Sequence, residues 1–328
     1  MKAIVYSNYG PPESLRFKEV RKPDPKGDEV LVKIHAATVN RTDCATIRAI
    51  PFFTRVITGL FRPKKQIPGT EFSGEIEAIG KDVSPFKIGD RVFGFNDEGA
   101  QSHAEFTVVT EGKMVLIPEG ITFEQAAAST EGAHYAYNFI DKVDIARGQQ
   151  ILVNGATGAI GSAAVQLLKH FEVEVTAVCA TENIDLVRSL GADRVIDYIR
   201  EEFTKDDQKF DFVFDTVGKS SFFQCRHLLK PGGVYISSDL GYMWQNLYLP
   251  LVTAVVNPVI GNRKTIFPTP RDISATLLLV QKLMAQKQFR PVIDSKYPLE
   301  KIVEAYKYVE KGHKKGNVVI TIHHNRSP

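Results

Sequence analysis

The sequence predicts an α/β protein in two parts, a β-rich unit and a doubly wound parallel sheet covered by helices. Three observations carry this. Short β-branched and aromatic runs separated by Gly, Pro and Asp fill the first third of the chain. From about Ile117 strand-like and helix-like segments alternate. Inside that alternation lies a bend stripped of side chains, "NGATGAIGSAAVQLLK", residues 154–169.

The β-rich part comes first. "AIVYS", "EVLVKIHAATVN", "GEIEAIG", "DRVFGF" and "AEFTVVT" read as strands, and "PDPKGDE" and "SPFKIGD" as turns between them. "TDCATIRAIPFFTRVITGLFRPKKQIPGTEF" interrupts the series. There Arg48, Arg55, Arg62, Lys64 and Lys65 alternate with Phe52, Phe53 and Phe61. Three readings stand for it: a mobile surface loop with a solvated basic edge, a lid over a substrate pocket, or a patch for an acidic or membrane surface. "TFEQAAASTEGAHYAYNFI" is expected to be a helix capped by Thr122.

Strand and helix then alternate. "QQILVNG", "EVEVTAVCA", "DRVIDY", "FDFVFDTVG" and "VYISSD" are the expected strands. "AIGSAAVQLLKHF", "TENIDLVRSLG" and "SSFFQCRHLLKPGG" are the helices between them. Such alternation implies parallel strands with helices on both faces. "ISATLLLVQKLMAQKQF" and "PLEKIVEAYKYVEKG" are helices, and "GNVVITI" is a closing strand. The expected divisions are residues 1–120, 121–265 and 266–328, the last returning to the first.

Composition narrows the function. The 328 residues are 43% hydrophobic and 24% charged, with net charge +3. That is ordinary globular usage and too weakly basic for nucleic acid. Cys44, Cys179 and Cys225 are scattered and include no C-x-x-C pair, so neither a disulfide framework nor a structural zinc is expected. The start, "MKAIVYSNYG", is too short and polar for a signal peptide. "LYLPLVTAVVNPVIG", residues 247–261, is interrupted by prolines and reads as core or interface rather than a membrane span. The expected location is cytoplasmic.

The bare bend follows a strand and opens a helix, the setting in which a glycine-rich turn holds a dinucleotide. A missing Cβ lets backbone approach a pyrophosphate, and the helix N-terminus faces the anion with N–H groups. Ala156-Thr157-Gly158-Ala159-Ile160-Gly161 carries this, with alanine in the first glycine position. The second strand ends in Cys179-Ala180-Thr181, with no acidic residue at its tip for a ribose. Small neutral residues leave room for a 2′-phosphate, and Thr181, Asn183 and Tyr198 are candidate donors. NADP(H) is therefore expected ahead of NAD(H). Glu182 is the opposing feature.

Over nearly its whole length the chain resembles the zinc-independent medium-chain dehydrogenases/reductases of the quinone oxidoreductase type. "YGPPESL", "EVLVKIHAATVNRTD", "PGTEFSGEIEAIGKDVSPFKIGDRVFGF", "NGATGAIGSAAVQLLK", "SLGADRVIDY", "FDFVFDTVG", "LLKPGGVYIS" and "GNVVI" occur in that family's order. The resemblance implies a GroES-like catalytic domain, a Rossmann cofactor domain and a C-terminal return. Zinc-dependent relatives carry cysteine where Asn40 stands, histidine where Thr70 stands, and a third ligand near Thr130. A cysteine cluster is missing from "FGFNDEGAQSHAEF". No zinc is expected. Glu71, His103, Glu131 and His134 are the remaining metal-capable side chains, and ordinary hydrogen bonding is the preferred account of both histidines.

Without a Lewis acid the expected chemistry is hydride transfer to a quinone or α,β-unsaturated carbonyl. By resemblance Asn40 lines the nicotinamide cleft and Asp43 stands behind it. Thr130, Val217, Ser237, Ser238, Leu240 and Phe267 line the cofactor groove, and Asn317 lies near the cofactor. The alternatives are a metal-free alcohol dehydrogenase or carbonyl reductase, and a low-turnover NADPH-binding regulatory protein. The substrate pocket is expected between the domains, with a size set by residues 52–65. A homodimer is expected, with "GGVYISS" as its sheet edge.

Overall fold

A computed structural model of the chain describes residues 1–237, 249–251, 253, 262–269 and 272–324. Two compact units divide it: residues 1–131 with 273–328, and residues 132–272.

The first unit is built on the eleven-residue strand Glu29–Val39. Its Val30, Val32 and Ile34 alternate into the core with Phe72, Val92 and Tyr306. Strand Glu71–Ile79 pairs antiparallel with it, Ala37 opposite Phe72. Strands Arg91–Phe95 and Met114–Leu116 continue the sheet, and Phe106–Thr110 pairs on the first half of the long strand. The C-terminal strand Asn317–Thr321 pairs antiparallel with the second half, Val318 opposite Val39. This pairing brings the residues just before 317 to the end of the long strand. Helix Ile302–Glu310 buries Ile302, Ala305, Tyr306 and Val309, one face at helical spacing.

The long insertion is more ordered than a loop. Asn40 and Asp43 form a capping box that starts helix Arg41–Arg48. A 3-10 turn, Phe52–Thr54, and a single helical turn, Arg55–Thr58, follow. The helix expected after Thr122 is two pieces. Phe123–Ala127 carries the Thr122–Gln125 capping box, and Glu131–Ile140 follows a break at residues 128–130.

The second unit is a six-stranded parallel sheet in the order Arg194–Asp197, Glu174–Cys179, Gln150–Asn154, Phe210–Asp215, Leu229–Ser237, Lys264–Ile266. The chain starts in the middle, runs to one edge, then returns to build the other half. The glycine bend follows Gln150–Asn154, at the point where the strand order reverses and ligands bind in such sheets. Two expectations are corrected here. The run read as a helix over "SSFFQCRHLLKPGG" is helical only over Phe222–Cys225. Leu229 already pairs with Phe210, and a bulge takes up the Pro-Gly-Gly. "GGVYISS" is not the sheet edge, because Lys264–Ile266 pairs outside it. Most of residues 247–261 lies outside the described residues.

Candidate active site

The bend separates its glycines by role. Gly155 has φ +83°, and a Cβ there would fall 2.3 Å from Val217 Cγ1. At Gly161 a Cβ would fall 2.1 Å from the Gly155 carbonyl oxygen. Both are needed for the chain's own packing. Gly158 is different: its nearest neighbour would be the Gly155 oxygen at 3.7 Å, and its φ of −69° suits any residue. Nothing in the protein demands a glycine there, whereas a closely approaching anion does. Ala156 is fully buried, its N–H donating to the Val178 carbonyl at 3.1 Å. Alanine therefore fits the first position because it points into the fold. Thr157, Gly158, Ala159 and Ile160 are half-buried, and helix Ala159–His170 begins here with its first N–H groups lacking helical acceptors.

The neighbouring strand ends complete this surface. Thr181 donates to Asp197 Oδ2 at 2.6 Å. Arg200 Nε lies 3.4 Å from the same oxygen, so Asp197 holds a hydroxyl and a guanidinium together. Asn183 is buried with its Oδ1 unpartnered, and Tyr198 is exposed. Asp215 is buried behind the bend. It accepts from Asn154 Nδ2 at 3.0 Å, the Tyr235 hydroxyl at 2.8 Å and the N–H groups of Val217, Gly218 and Ser220. Burial pushes its carboxyl upward against those donors. Ser237 is buried at its strand end, and Phe267 is half-buried just past Lys264–Ile266. Ser238 and Leu240 lie outside the described residues.

The first unit holds a buried polar cluster around Asn40. Strand pairing places Thr38 and Asn40 beside Glu71. Asn40 Nδ2 donates to Glu71 Oε2 at 2.6 Å and to Thr38 Oγ1 at 3.3 Å, while Lys314 Nζ donates to Asn40 Oδ1 at 3.1 Å. Lys314 also donates to the Gly316 carbonyl. The other oxygen of Glu71 accepts from Thr130 Oγ1 and the Glu131 N–H, each at 2.5 Å. Glu131 accepts from Thr42 Oγ1 at 2.7 Å and Thr70 Oγ1 at 3.0 Å. Asp43 accepts from the Asn40 N–H at 2.8 Å. Asn317 is buried, its Nδ2 donating to the Ala128 and Val292 carbonyls at 3.0 and 3.2 Å.

Three carboxyl groups and one ammonium thus share this interior. Burial, then the neighbouring Glu71, pushes Glu131 up to about 7. Burial, then Glu131, raises Asp43 well above the usual carboxylate range, and burial raises Glu71. Burial lowers Lys314, opposed by Glu131 and Glu71. Thr42, which touches Glu131, is only half-buried. The cluster therefore holds a proton near neutral pH with a hydroxyl at its outer end.

A zinc ion does not fit this donor set. Both oxygens of Glu71 are filled by protein donors, and a lysine ammonium lies against Asn40. His103 Nε2 donates to the Thr38 carbonyl at 2.8 Å, and its Nδ1 faces the Tyr306 hydroxyl at 3.3 Å. Burial depresses this imidazole to about 4, so it is neutral. His134 is buried on helix Glu131–Ile140, its ring against Tyr135. Among the described residues no group of three His, Cys, Asp or Glu side chains is arranged to hold a metal.

Sequence reasoning missed Thr42, Lys314, Arg200 and Asp215. Lys314 is distant in sequence from Asn40 and reaches it only through the pairing of Asn317–Thr321 with Glu29–Val39. Arg200 stands three residues past its strand and returns through Asp197. The i, i+3 spacing of Asp197 and Arg200 was the one local signal available.

The fold and these sites define a two-unit dehydrogenase with a dinucleotide bend. The family model for an alcohol dehydrogenase GroES-like domain matches residues 26–135, and that for a zinc-binding dehydrogenase matches residues 190–320. The chain is 33% identical to a 2-methylene-furan-3-one reductase of Solanum lycopersicum, covering 98% of this chain and 79% of that protein. It is 31% identical to a chloroplastic quinone-oxidoreductase homolog of Spinacia oleracea, covering 98% of each. The solved quinone oxidoreductase from Coxiella burnetii matches with a TM-score of 0.85 at 25% identity, over 98% of this chain and 99% of that one. The chain belongs to the quinone oxidoreductase-like family of medium-chain dehydrogenases/reductases.

Proposed function

We propose that this protein is an NADPH-dependent, zinc-independent oxidoreductase that reduces quinones or α,β-unsaturated carbonyls. The observation that carries this reading is the Asn40–Lys314–Glu71 network. It fills the place expected of a metal ligand set with hydrogen bonds and one fixed ammonium. Relatives named for alkenal/one and 2-methylene-furan-3-one reduction support the substrate class.

The nicotinamide cofactor, when bound, supplies the hydride. This chain's residues do the rest. The backbone at Thr157, Gly158 and Ala159 receives the pyrophosphate, and helix Ala159–His170 faces it with its positive end. Thr181, Tyr198 and Arg200 favour a 2′-phosphate, Arg200 by charge. Asn183, Val217, Ser237, Ser238, Leu240 and Phe267 complete the groove in this reading. Lys314 and Glu71 fix the amide of Asn40, so its orientation is set before substrate arrives. Asp43 positions Asn40 through the helix cap.

A reduced alkene also needs a proton. A protonated Glu131 would turn its O–H to Thr42 Oγ1, and Thr42 would release its own hydroxyl proton outward in the same concerted step. Thr130 and Asn317 hold the cluster in register. The cofactor and catalytic assignments follow the two compact units, residues 132–272 and residues 1–131 with 273–328, in place of the expected divisions 1–120, 121–265 and 266–328. A homodimer would use the edge strand Lys264–Ile266. No described helix is long and apolar enough to cross a membrane, and the cytoplasm remains the proposed compartment beside relatives named chloroplastic and mitochondrial.

Steady-state oxidation of NADPH and NADH tests the reading against 1,4-quinones, enones and simple aldehydes, with and without chelator. We expect chelator-resistant turnover of quinones or enones, faster with NADPH. Turnover of aldehydes alone, or only with added zinc, would contradict it.

A further inference from the structure

We infer that residues 50–65 form a docking element for an anionic lipid surface. The segment combines exposed apolar side chains with one-sided charge. Residues 44–70 contain Arg48, Arg55, Arg62, Lys64 and Lys65 and no aspartate or glutamate. Within them Phe61 is 85% exposed, Val56 75%, Phe52 70%, Ile50 57% and Leu60 54%.

The projection is built on a fixed base. The Tyr9 hydroxyl donates to the Gly59 carbonyl at 2.8 Å and lies 2.8 Å from Thr58 Oγ1. Tyr9 itself packs on the core of the first unit. Thr58 therefore faces this base, while Phe52 and Val56 on the turns before Gly59 are exposed. The chain then reverses: the Lys64 N–H donates to the Thr58 carbonyl at 2.8 Å. Gly59 makes the reversal possible, with φ +126° and only 2.0 Å between a built Cβ and the Arg62 carbonyl oxygen. Leu60 and Phe61 form the tip of this bend, and the exposed Arg62, Lys64 and Lys65 follow at once.

Charge accounting identifies the occupant. Arg48 is neutralised by Glu310, at 2.5 and 3.0 Å, and Arg55 lies over the Tyr9 and Phe52 rings. Lys65 Nζ donates to the Gly99 carbonyl, next to Asp97 and Glu98, while Arg62 and Lys64 on the bend are exposed. An apolar protein face would cover the tip but strand Arg62, Lys64 and Lys65. An acidic protein face would match those cations but leave five large apolar side chains in water. A bilayer containing anionic phospholipid supplies both, phosphates at the level of the cations and acyl chains beneath them.

Co-sedimentation of the intact protein with vesicles tests this. Vesicles of phosphatidylcholine alone are compared with vesicles doped with phosphatidylglycerol. We expect binding to the doped vesicles only, weakened by salt. L60S/F61S should lower it at least about tenfold, and R62A/K64A should lower it about tenfold or more. Thermal melts of both variants should match the parent, because the changed side chains are exposed. A second readout follows one labelled position at the tip. The three native cysteines are buried, so F61C carries an environment-sensitive fluorophore selectively, and doped vesicles should shift its emission to the blue. No binding to doped vesicles at low salt, binding unaffected by L60S/F61S, an unshifted label, or retention on polyglutamate in place of vesicles would each overturn the inference.

Discussion

Glu131 decides the pH behaviour at the scale of single residues. Its carboxyl is held up to about 7 by burial and by Glu71, against an ordinary value of 4.5. Below 4.5 both folded and unfolded chains carry the proton. Between 4.5 and about 7 the folded chain keeps a proton that the unfolded chain has released. Stability therefore falls as pH rises through this window, by about 3 kcal/mol in all. Glu131→Gln should flatten the fall, as read by urea unfolding at pH 5 and pH 8. If the parent and the variant lose stability equally, the carboxyl does not hold that proton. Lys314 belongs to the same balance. Its ammonium is the cation facing Glu71 and Glu131, and it orders Asn40 by donating to Oδ1 while Nδ2 donates to Thr38 and Glu71.

At the scale of elements the glycine bend and the strand end beside it can be tested separately. Gly158→Ala adds a methyl that meets only the Gly155 oxygen, at 3.7 Å. The melting temperature should change little, since an alanine N-cap costs about 1 kcal/mol at most relative to glycine. NADPH affinity should fall at least about tenfold, because the methyl enters the space needed for close backbone approach. Calorimetric titration and a thermal melt on the same sample separate the two effects, and unchanged affinity would remove Gly158 from the cofactor site. Arg200→Ala should raise KM for NADPH about tenfold and leave KM for NADH near its parent value, the loss expected of one charge-assisted contact at an exposed edge. Equal changes for both cofactors would assign Arg200 to folding through Asp197 instead.

The same elements show what was legible in the sequence. Apolar β-branched runs announced the strands, and those of the parallel sheet, such as Gln150–Asn154 and Glu174–Cys179, are buried on both faces. The bend was legible because its glycines lie next to one another in the chain. The helix after Thr122 was recognised by its cap, yet it breaks at residues 128–130, where Thr130 and Glu131 turn to Glu71. The "SSFFQCRHLLKPGG" run was misread because an apolar run fits helix and strand alike, and the pairing of Leu229 with Phe210 decided for strand. "GGVYISS" was read as an edge from the way relatives extend this sheet, and the short strand Lys264–Ile266 that pairs outside it carries little sequence signal.

For the whole molecule, each of the two units carries an arrangement that local sequence does not show. The parallel sheet of residues 132–272 carries the glycine bend at the reversal of its strand order. The unit made from residues 1–131 and 273–328 gathers Asn40, Thr42, Glu71, Glu131 and Lys314 from four segments. Strand registers made that assembly, with Val318 opposite Val39 and Phe72 opposite Ala37. A register shift of one residue would turn these side chains to the other face. Long-range pairing leaves no local pattern, so Lys314 was invisible beforehand while the missing cysteine and histidine ligands were plain. The central claim is that hydride goes to the carbon of a polarised double bond and that the protein supplies the proton. The most direct test follows the hydrogen: NADPH deuterated at the transferred position, a simple enone, chelator in the buffer, and product analysis by NMR. The account predicts deuterium at the β-carbon and solvent-derived hydrogen at the α-carbon. Deuterium at the carbonyl carbon, with an allylic alcohol as product, would contradict it.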